Sequence, residues 1–383
     1  MKIKYLVLAF VLVVLVFSTV ASTAANKENK VRVIAHTDKE INDALNNGCT
    51  VVREARTLKA LVCSEDAALS LGLQEDIKVF ALDDVSEKGN DRFSTQDTNA
   101  NKQIKADLVQ SSGNSGAGRN VVVLDTGYNY NHPELSSSYL GGTDFVNDDN
   151  DPFDDNGHGS HVAGIITGDG VDAKAKGVAP AAGIIAGKVL SGSGSGYFSD
   201  VVAAIYWAVD NNTGVDAISM SLGTSQPYTY KGFCDNVLPD LTNAIKYARS
   251  KGVTVAVAAG NSGSAGVSIP GCISYSTTVG AVDSVDKIAS FSGKGNAVDI
   301  TAPGVSIYSS VLGTGYASWS GTSMATPMVA GVVALVRSAH PAYTVVQTEN
   351  ALFKTAKDLG KAGKDTSYGW GRVDALGAVN YAS

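Results

Sequence analysis

From about residue 104 onward, short apolar runs rich in β-branched residues alternate with longer helical stretches. RNVVVLDTG, AGIIAGKVL, VDAISMSLG, VTVAVAAGN and YSTTVGAV are nearly continuous in apolar character and end in glycine or a polar residue. That is the pattern of strands covered on both faces. GSHVAGIITG, FSDVVAAIYWAVDN and LPDLTNAIKYARSKG lie between them and read as helices. The alternation predicts an α/β fold, a mostly parallel sheet sandwiched by helices. Ligands of such sheets meet the carboxyl ends of the strands, where Asp125, Ser221 to Gly223 and Asn261 fall.

The preceding segment has a different order. VRVIAHT reads as a strand, DKEINDALNNG as a helix, the stretch from Cys49 to Cys63 as a hairpin folded about Ala55 to Thr57, SEDAALSLGLQED as a helix and IKVFALD as a closing strand. This is β-α-β-β-α-β, the order of a small ferredoxin-like α+β unit. DVSEKGNDRFSTQDTNANKQ is polar and poor in apolar residues, as a linker is. At the start, Lys2 and Lys4 precede an apolar run to about Val20 and small residues from Ala21 to Ala25. Residues 1–25 are therefore expected to be a signal peptide, with an uncleaved anchor as the competing reading. No later segment reads as apolar enough to span a bilayer.

Composition narrows the class. Of 383 residues, 44% are hydrophobic and 17% charged, which fits a globular chain. The net charge of −7 argues against nucleic acid as a partner. Four cysteines suit an oxidising compartment. Cys49 and Cys63 face each other across the predicted hairpin, and Cys234 and Cys272 form a second couple; in both, a disulfide and two buried thiols remain open.

Chemistry concentrates in three stretches. SWSGTSMATPMVAG surrounds the Ser323 hydroxyl with small residues where a helix begins. Pro327 is expected in that helix's first turn, where N–H groups lack intrahelical partners. A serine hydroxyl needs a base, and the base needs a carboxylate to fix its tautomer. Among five histidines, His158 stands between glycines in DDNGHGSHVAG, with His161 one helical turn on. Asp125 ends a buried strand in VVVLDTG.

VVLDTG, NGHGSHVAG, AAGNSG and SGTSMATP together resemble the four signatures of the subtilisin-like serine peptidases, in the family's order. The resemblance covers roughly 105–383, and the unit before it is similar to the family's inhibitory propeptide. It implies Ser323 as nucleophile, His158 as general base and acid, Asp125 as its orienting partner, and Asn261 as an oxyanion-hole donor beside the Ser323 N–H. Ser221, Leu222 and Gly223 would form one wall of the specificity pocket, and Ala258, Ala259 and Gly260 the other. Small uncharged walls imply a broad preference with an apolar residue before the cleaved bond. DFVNDDNDPFDDNGHG is similar to a thermitase-type calcium loop, with Asp144, Asn147, Asp149 and Asp151 at ligand positions; no organic cofactor is implied.

The implied organisation is signal peptide 1–25, inhibitory propeptide 26–90 and catalytic domain 91–383, with propeptide cleavage between about Asp84 and Asn101. The product is a secreted, monomeric, autoprocessed endopeptidase acting on polypeptides, inhibited by its own propeptide and without a membrane anchor after signal removal. The alternatives are a processing peptidase dedicated to one proprotein and a catalytically silent binding domain. Met324, next to the nucleophile, becomes an oxidation target if it is exposed.

Overall fold

The computed structural model describes residues 29–82 and 99–382. The expected signal peptide and most of the expected linker and cleavage window lie outside the described residues.

Residues 29–82 form a four-stranded antiparallel sheet with two helices. Strand Lys30–Ala35 leads to helix Asp38–Asn46, whose start is fixed by reciprocal capping between Thr37 and Glu40. The hairpin Thr50–Glu54/Lys59–Ser64 follows, then helix Glu65–Leu71, which stops at Gly72 in a left-handed conformation. A Cys49–Cys63 disulfide joins the ends of the hairpin and packs with Val33, Ala35, Ala44, Leu61 and Ala68.

One expected strand goes elsewhere. The sheet closes on the two-residue strand Gln74–Glu75, paired with Val33 and Ile34, rather than on IKVFALD. With that edge taken, Lys78–Ala81 leaves the unit and runs antiparallel between Leu222–Gly223 and Ser195–Tyr197 of the larger domain. Val79 and Ala81 are buried there, while Lys78 and Phe80 point outward.

The larger domain holds a seven-stranded, wholly parallel sheet. Its order is Ile300–Pro303, Thr277–Val282, Thr254–Ala258, Val215–Met220, Asn120–Asp125, Gly183–Lys188, Tyr139–Asp144. The five predicted strands are all present. Tyr139–Asp144 (YLGGTD) and Ile300–Pro303 (ITAP) were not legible, because paired glycines and a terminal proline hide their apolar run. Helices His158–Thr167 and Thr322–Ala339 pack on one face of the sheet, and Phe198–Asp210 and Pro239–Ser250 on the other. Contrary to the sequence reading, Thr322–Ala339 is long and apolar enough to cross a membrane, but 83% of it is buried, so its apolar surface serves the core.

The two units meet through alternating charges. Arg32 joins Asp76 (2.9 Å) to Asp200 (2.7 Å), and Arg53 joins Asp200 to Asp148 (2.8 Å each). Asp76 also accepts the Ser199 N–H and hydroxyl at the start of helix Phe198–Asp210. His36 meets Asp240 at 2.8 Å, and Arg56 pairs with Asp210 over the rings of Tyr206 and Tyr247. A second disulfide, Cys234–Cys272, lies in the larger domain.

Replacing Cys49 and Cys63 by serine should destabilise residues 29–82 by about 3 kcal/mol, the loop-closure entropy of a cross-link of this span. Urea unfolding of the full chain checks this; an unchanged midpoint for that unit would show that the bridge contributes nothing.

Candidate active site

Asp125 is the last residue of its strand and is fully buried, and His158 is the first residue of its helix. His158 Nδ1 stands 2.7 Å from Asp125 Oδ1, which also accepts the Thr126 N–H at 2.7 Å. The proximity has a steric origin. A Cβ on Gly159 would overlap the Gly127 carbonyl oxygen, and one on Gly127 would stand 2.6 Å from Pro152 O. Only glycines let the turn after Asp125 touch the helix that carries His158.

That helix opens on Gly157, which has no side chain to cap it. Asp154 does so instead, accepting from Asn156 N (3.0 Å), Gly157 N (2.9 Å), Ser160 N (2.8 Å) and Ser160 Oγ (2.6 Å). It also accepts the Thr126 hydroxyl at 2.9 Å. Burial alone would raise the Asp154 pKa, but these donors hold it below the ordinary carboxylate value.

Ser323 lies in the first turn of Thr322–Ala339. Pro327 falls one turn later than expected and removes the N–H that would bond the Ser323 carbonyl. The Ser221 hydroxyl takes that carbonyl at 2.8 Å. Ser323 Oγ itself is 3.1 Å from both Leu82 O and Ser221 O. Asn261 Oδ1 accepts the Thr322 N–H (3.0 Å) and hydroxyl (2.9 Å), which leaves its Nδ2 facing Leu82 O at 3.4 Å. The Leu82 carbonyl thus reaches both the serine hydroxyl and the asparagine amide. Leu82 lies just upstream of the Asp84–Asn101 window.

Ser221, Leu222, Gly223, Ala258, Ala259 and Gly260 are all buried at the ends of their strands, and Leu222–Gly223 pairs with Ala81–Phe80. Sequence reasoning missed three participants. Leu82 sits at the edge of a polar tract, Ser195–Tyr197 reads as a Gly/Ser loop although it forms the second rail for Lys78–Phe80, and Ser268 carries no motif. A Cβ on Gly223 would stand 2.6 Å from Ser268 Oγ, and one on Gly260 would overlap it, so Ser268 fills the space that both glycines leave. Asp216 pairs with Arg337 (3.2 Å), and Asp235 is held by the Ser274 N–H and hydroxyl. Met324 is fully buried, so the condition for its oxidation is not met.

The oxygen donors of the expected calcium loop suit a hard cation, and several of them accept hydrogen bonds from within the loop. Asp144 accepts Val146 N, Asn147 N and Asn147 Nδ2, Asp149 accepts Asp151 N, and Asp151 accepts the Tyr130 hydroxyl. Among the described residues, no group of three or more His, Cys, Asp or Glu is placed to hold a metal.

A parallel sheet with a buried Asp–His couple, and a serine and an asparagine amide gathered on one carbonyl, define an acyl-transfer hydrolase. The Subtilase family model matches residues 116–371. Over 282 residues the chain is 40% identical to Subtilisin from Bacillus pumilus, covering 72% of this chain and 96% of that protein. It is equally similar to Subtilisin E from Bacillus subtilis (strain 168), with 70% of that protein covered. It is 41% identical over 266 residues to the Thermophilic serine proteinase of Bacillus sp. (strain AK1), covering 69% of this chain but 62% of that protein's length. The chain belongs to the subtilase family and is a serine endopeptidase.

His161 packs on Trp319 (4.5 Å between centroids) and bonds Ala317 O at 3.0 Å. Burial, aided by His158 and opposed by the Ala317 carbonyl, pushes its pKa down from 6.5 to about 3. The unfolded chain takes up this proton near pH 6.5 and the folded chain only near 3. Its contribution to stability is therefore complete above that window and is lost as pH falls through it, by at most about 1.4 kcal/mol per pH unit. Imidazole NMR signals of His161 should not titrate above about pH 4; a midpoint near the ordinary histidine value would show a solvated ring.

Proposed function

We propose that the chain is a secreted, self-processing endopeptidase in which Ser323 is the nucleophile, His158 the base and acid, and Asp125 the group that orients it. Ser323 Oγ attacks a peptide carbonyl while His158 takes its proton, and Asp125 stabilises the resulting imidazolium. The oxyanion is held by Asn261 Nδ2 and the Ser323 N–H. His158 then gives its proton to the leaving amine, and water, deprotonated by His158, releases the acyl group.

The observation that carries this reading is the Leu82 carbonyl, lying between Ser323 Oγ and Asn261 Nδ2 at the end of a strand seated on two rails. The proposed processing bond is accordingly Leu82–Asp83. Residues up to Leu82 act as the inhibitory propeptide, preceded by signal peptide 1–25, and the monomeric catalytic domain follows. Leu82 marks an apolar preference before the cleaved bond, and the buried Val79 and Ala81 mark further apolar contacts along the peptide. A dedicated processing role at basic sites has less support, since Asp216 and Asp235 are engaged elsewhere. Calcium in the 144–151 loop would be held by carboxylate lone pairs not taken by the Val146 and Asn147 N–H groups, such as those of Asp144 Oδ2 and Asp149.

Mass spectrometry of the secreted protein should find a mature N-terminus at Asp83, and a fluorophosphonate should label Ser323. An N-terminus elsewhere in an active enzyme would refute the processing bond; a folded, unlabelled protein would refute the assigned roles. Asn261→Ala should lower kcat about 10²–10³-fold, a magnitude already established for subtilisin rather than derived for this chain. Asp200→Asn in the full chain removes the shared partner of Arg32 and Arg53. It should shorten the lag between cleavage and full activity about tenfold or more; an unchanged lag would mean that the ion network does not retain the propeptide.

A further inference from the structure

Lys188 ends its strand beside Asp125 in the parallel register and is 2% exposed. Its three ammonium protons have three acceptors: Thr126 O (2.5 Å), Asp155 Oδ1 (2.5 Å) and Leu190 O (3.2 Å). Thr126 is thereby held at every polar group. Its N–H donates to Asp125, its hydroxyl donates to Asp154 and accepts the Gly159 N–H, and its carbonyl accepts from Lys188. No step of the acyl-transfer cycle uses this ammonium. Burial of a cation is unfavourable unless it is paired and fully hydrogen-bonded, and an apolar side chain would fill the same space.

The charges around His158 give the ammonium a task. Asp125 faces the imidazole from the strand, Asp154 and Asp155 lie in the loop leading to it, and His161, one turn along the same helix, is neutral above about pH 3. Three carboxylates with no cation would favour the imidazolium, which cannot accept a proton from Ser323. Among the described residues Lys188 is the buried cation tied to this turn and, through Asp155, to the loop that carries His158.

We propose that Lys188 is a positioning residue for the Asp125–His158 couple: it clamps the turn that aims the Asp125 carboxylate, and its fixed positive charge keeps His158 free to act as a base near neutral pH. This rests on the roles given to Asp125, His158 and Ser323 above.

The test compares matured wild type, Lys188→Met, Lys188→Arg and Asp155→Asn, each quantified by fluorophosphonate titration, in kcat and KM on a peptide with leucine before the cleaved bond between about pH 5 and 9. Lys188→Met should raise the acidic limb of kcat/KM by about half a pH unit. It should also lower kcat about tenfold, with KM little changed. Lys188→Arg, which keeps the charge, should leave the limb in place. Asp155→Asn leaves the ammonium without its carboxylate and should move the limb to lower pH. A matured Lys188→Met with the wild-type limb overturns the proposal. If Lys188→Met fails to mature, Asp155→Asn decides, and a limb at or above the wild-type position overturns it. Absence of labelling at Ser323 in folded wild type defeats the functional reading instead, whereas an active wild type with unmoved limbs defeats only the role of Lys188.

Discussion

The site depends on a contact in which side chains take no part. The turn at Gly127 lies against Gly159, so the strand bearing Asp125 and the helix bearing His158 meet backbone to backbone. Any methyl group at that junction would push them apart, and the 2.7 Å hydrogen bond between carboxylate and imidazole would lengthen. Hydrogen bonds then fix what the sterics permit. Asp154 gathers the helix entrance onto the Thr126 hydroxyl, and Lys188 gathers the Thr126 carbonyl onto the neighbouring strand. Such preorganisation costs polar burial, which is tolerated because nearly every buried group in the cluster has a partner.

Around this junction the parallel sheet acts as a positioning frame. Asp125, Ser221 and Asn261 follow the carboxyl ends of adjacent strands, and the Thr322–Ala339 helix crosses the same face to bring Ser323 to them. The 29–82 unit approaches from outside. It is held by charges, by Ile34, Leu58 and Ala60, which share a core cluster with Phe198, Val202 and Leu241, and by one strand, after which the Leu82 carbonyl meets the serine. The two edges that pair with Lys78–Ala81 can receive an extended chain by backbone hydrogen bonds, the mode the proposed function assigns to propeptide and substrate alike.

Legibility in the sequence followed the range of the interactions. Asp125, His158 and Ser323 each sit in a short motif that alone reads equally well as a turn, a core histidine or a helix cap, so it was their combination, and for Asn261 the family resemblance, that singled them out. Strands with uninterrupted β-branched runs were equally clear, whereas YLGGTD and ITAP were hidden by residues that suit a covered edge or a strand end. Pairings made across the fold left no trace. IKVFALD has strand character, but only the folded molecule shows that Gln74–Glu75 has already taken its place in the small sheet. In the expected calcium loop, likewise, counting oxygen donors does not reveal which of them accept N–H groups of the same loop.

Pro327 has one further consequence. By withholding an N–H it makes the Ser323 carbonyl depend on the hydroxyl of Ser221, a residue that the proposed function also places in the wall facing the incoming side chain. Under the proposed roles, selectivity and turnover are mechanically linked at position 221. An engineer who reshapes that wall also loosens the helix that aims the reactive alcohol.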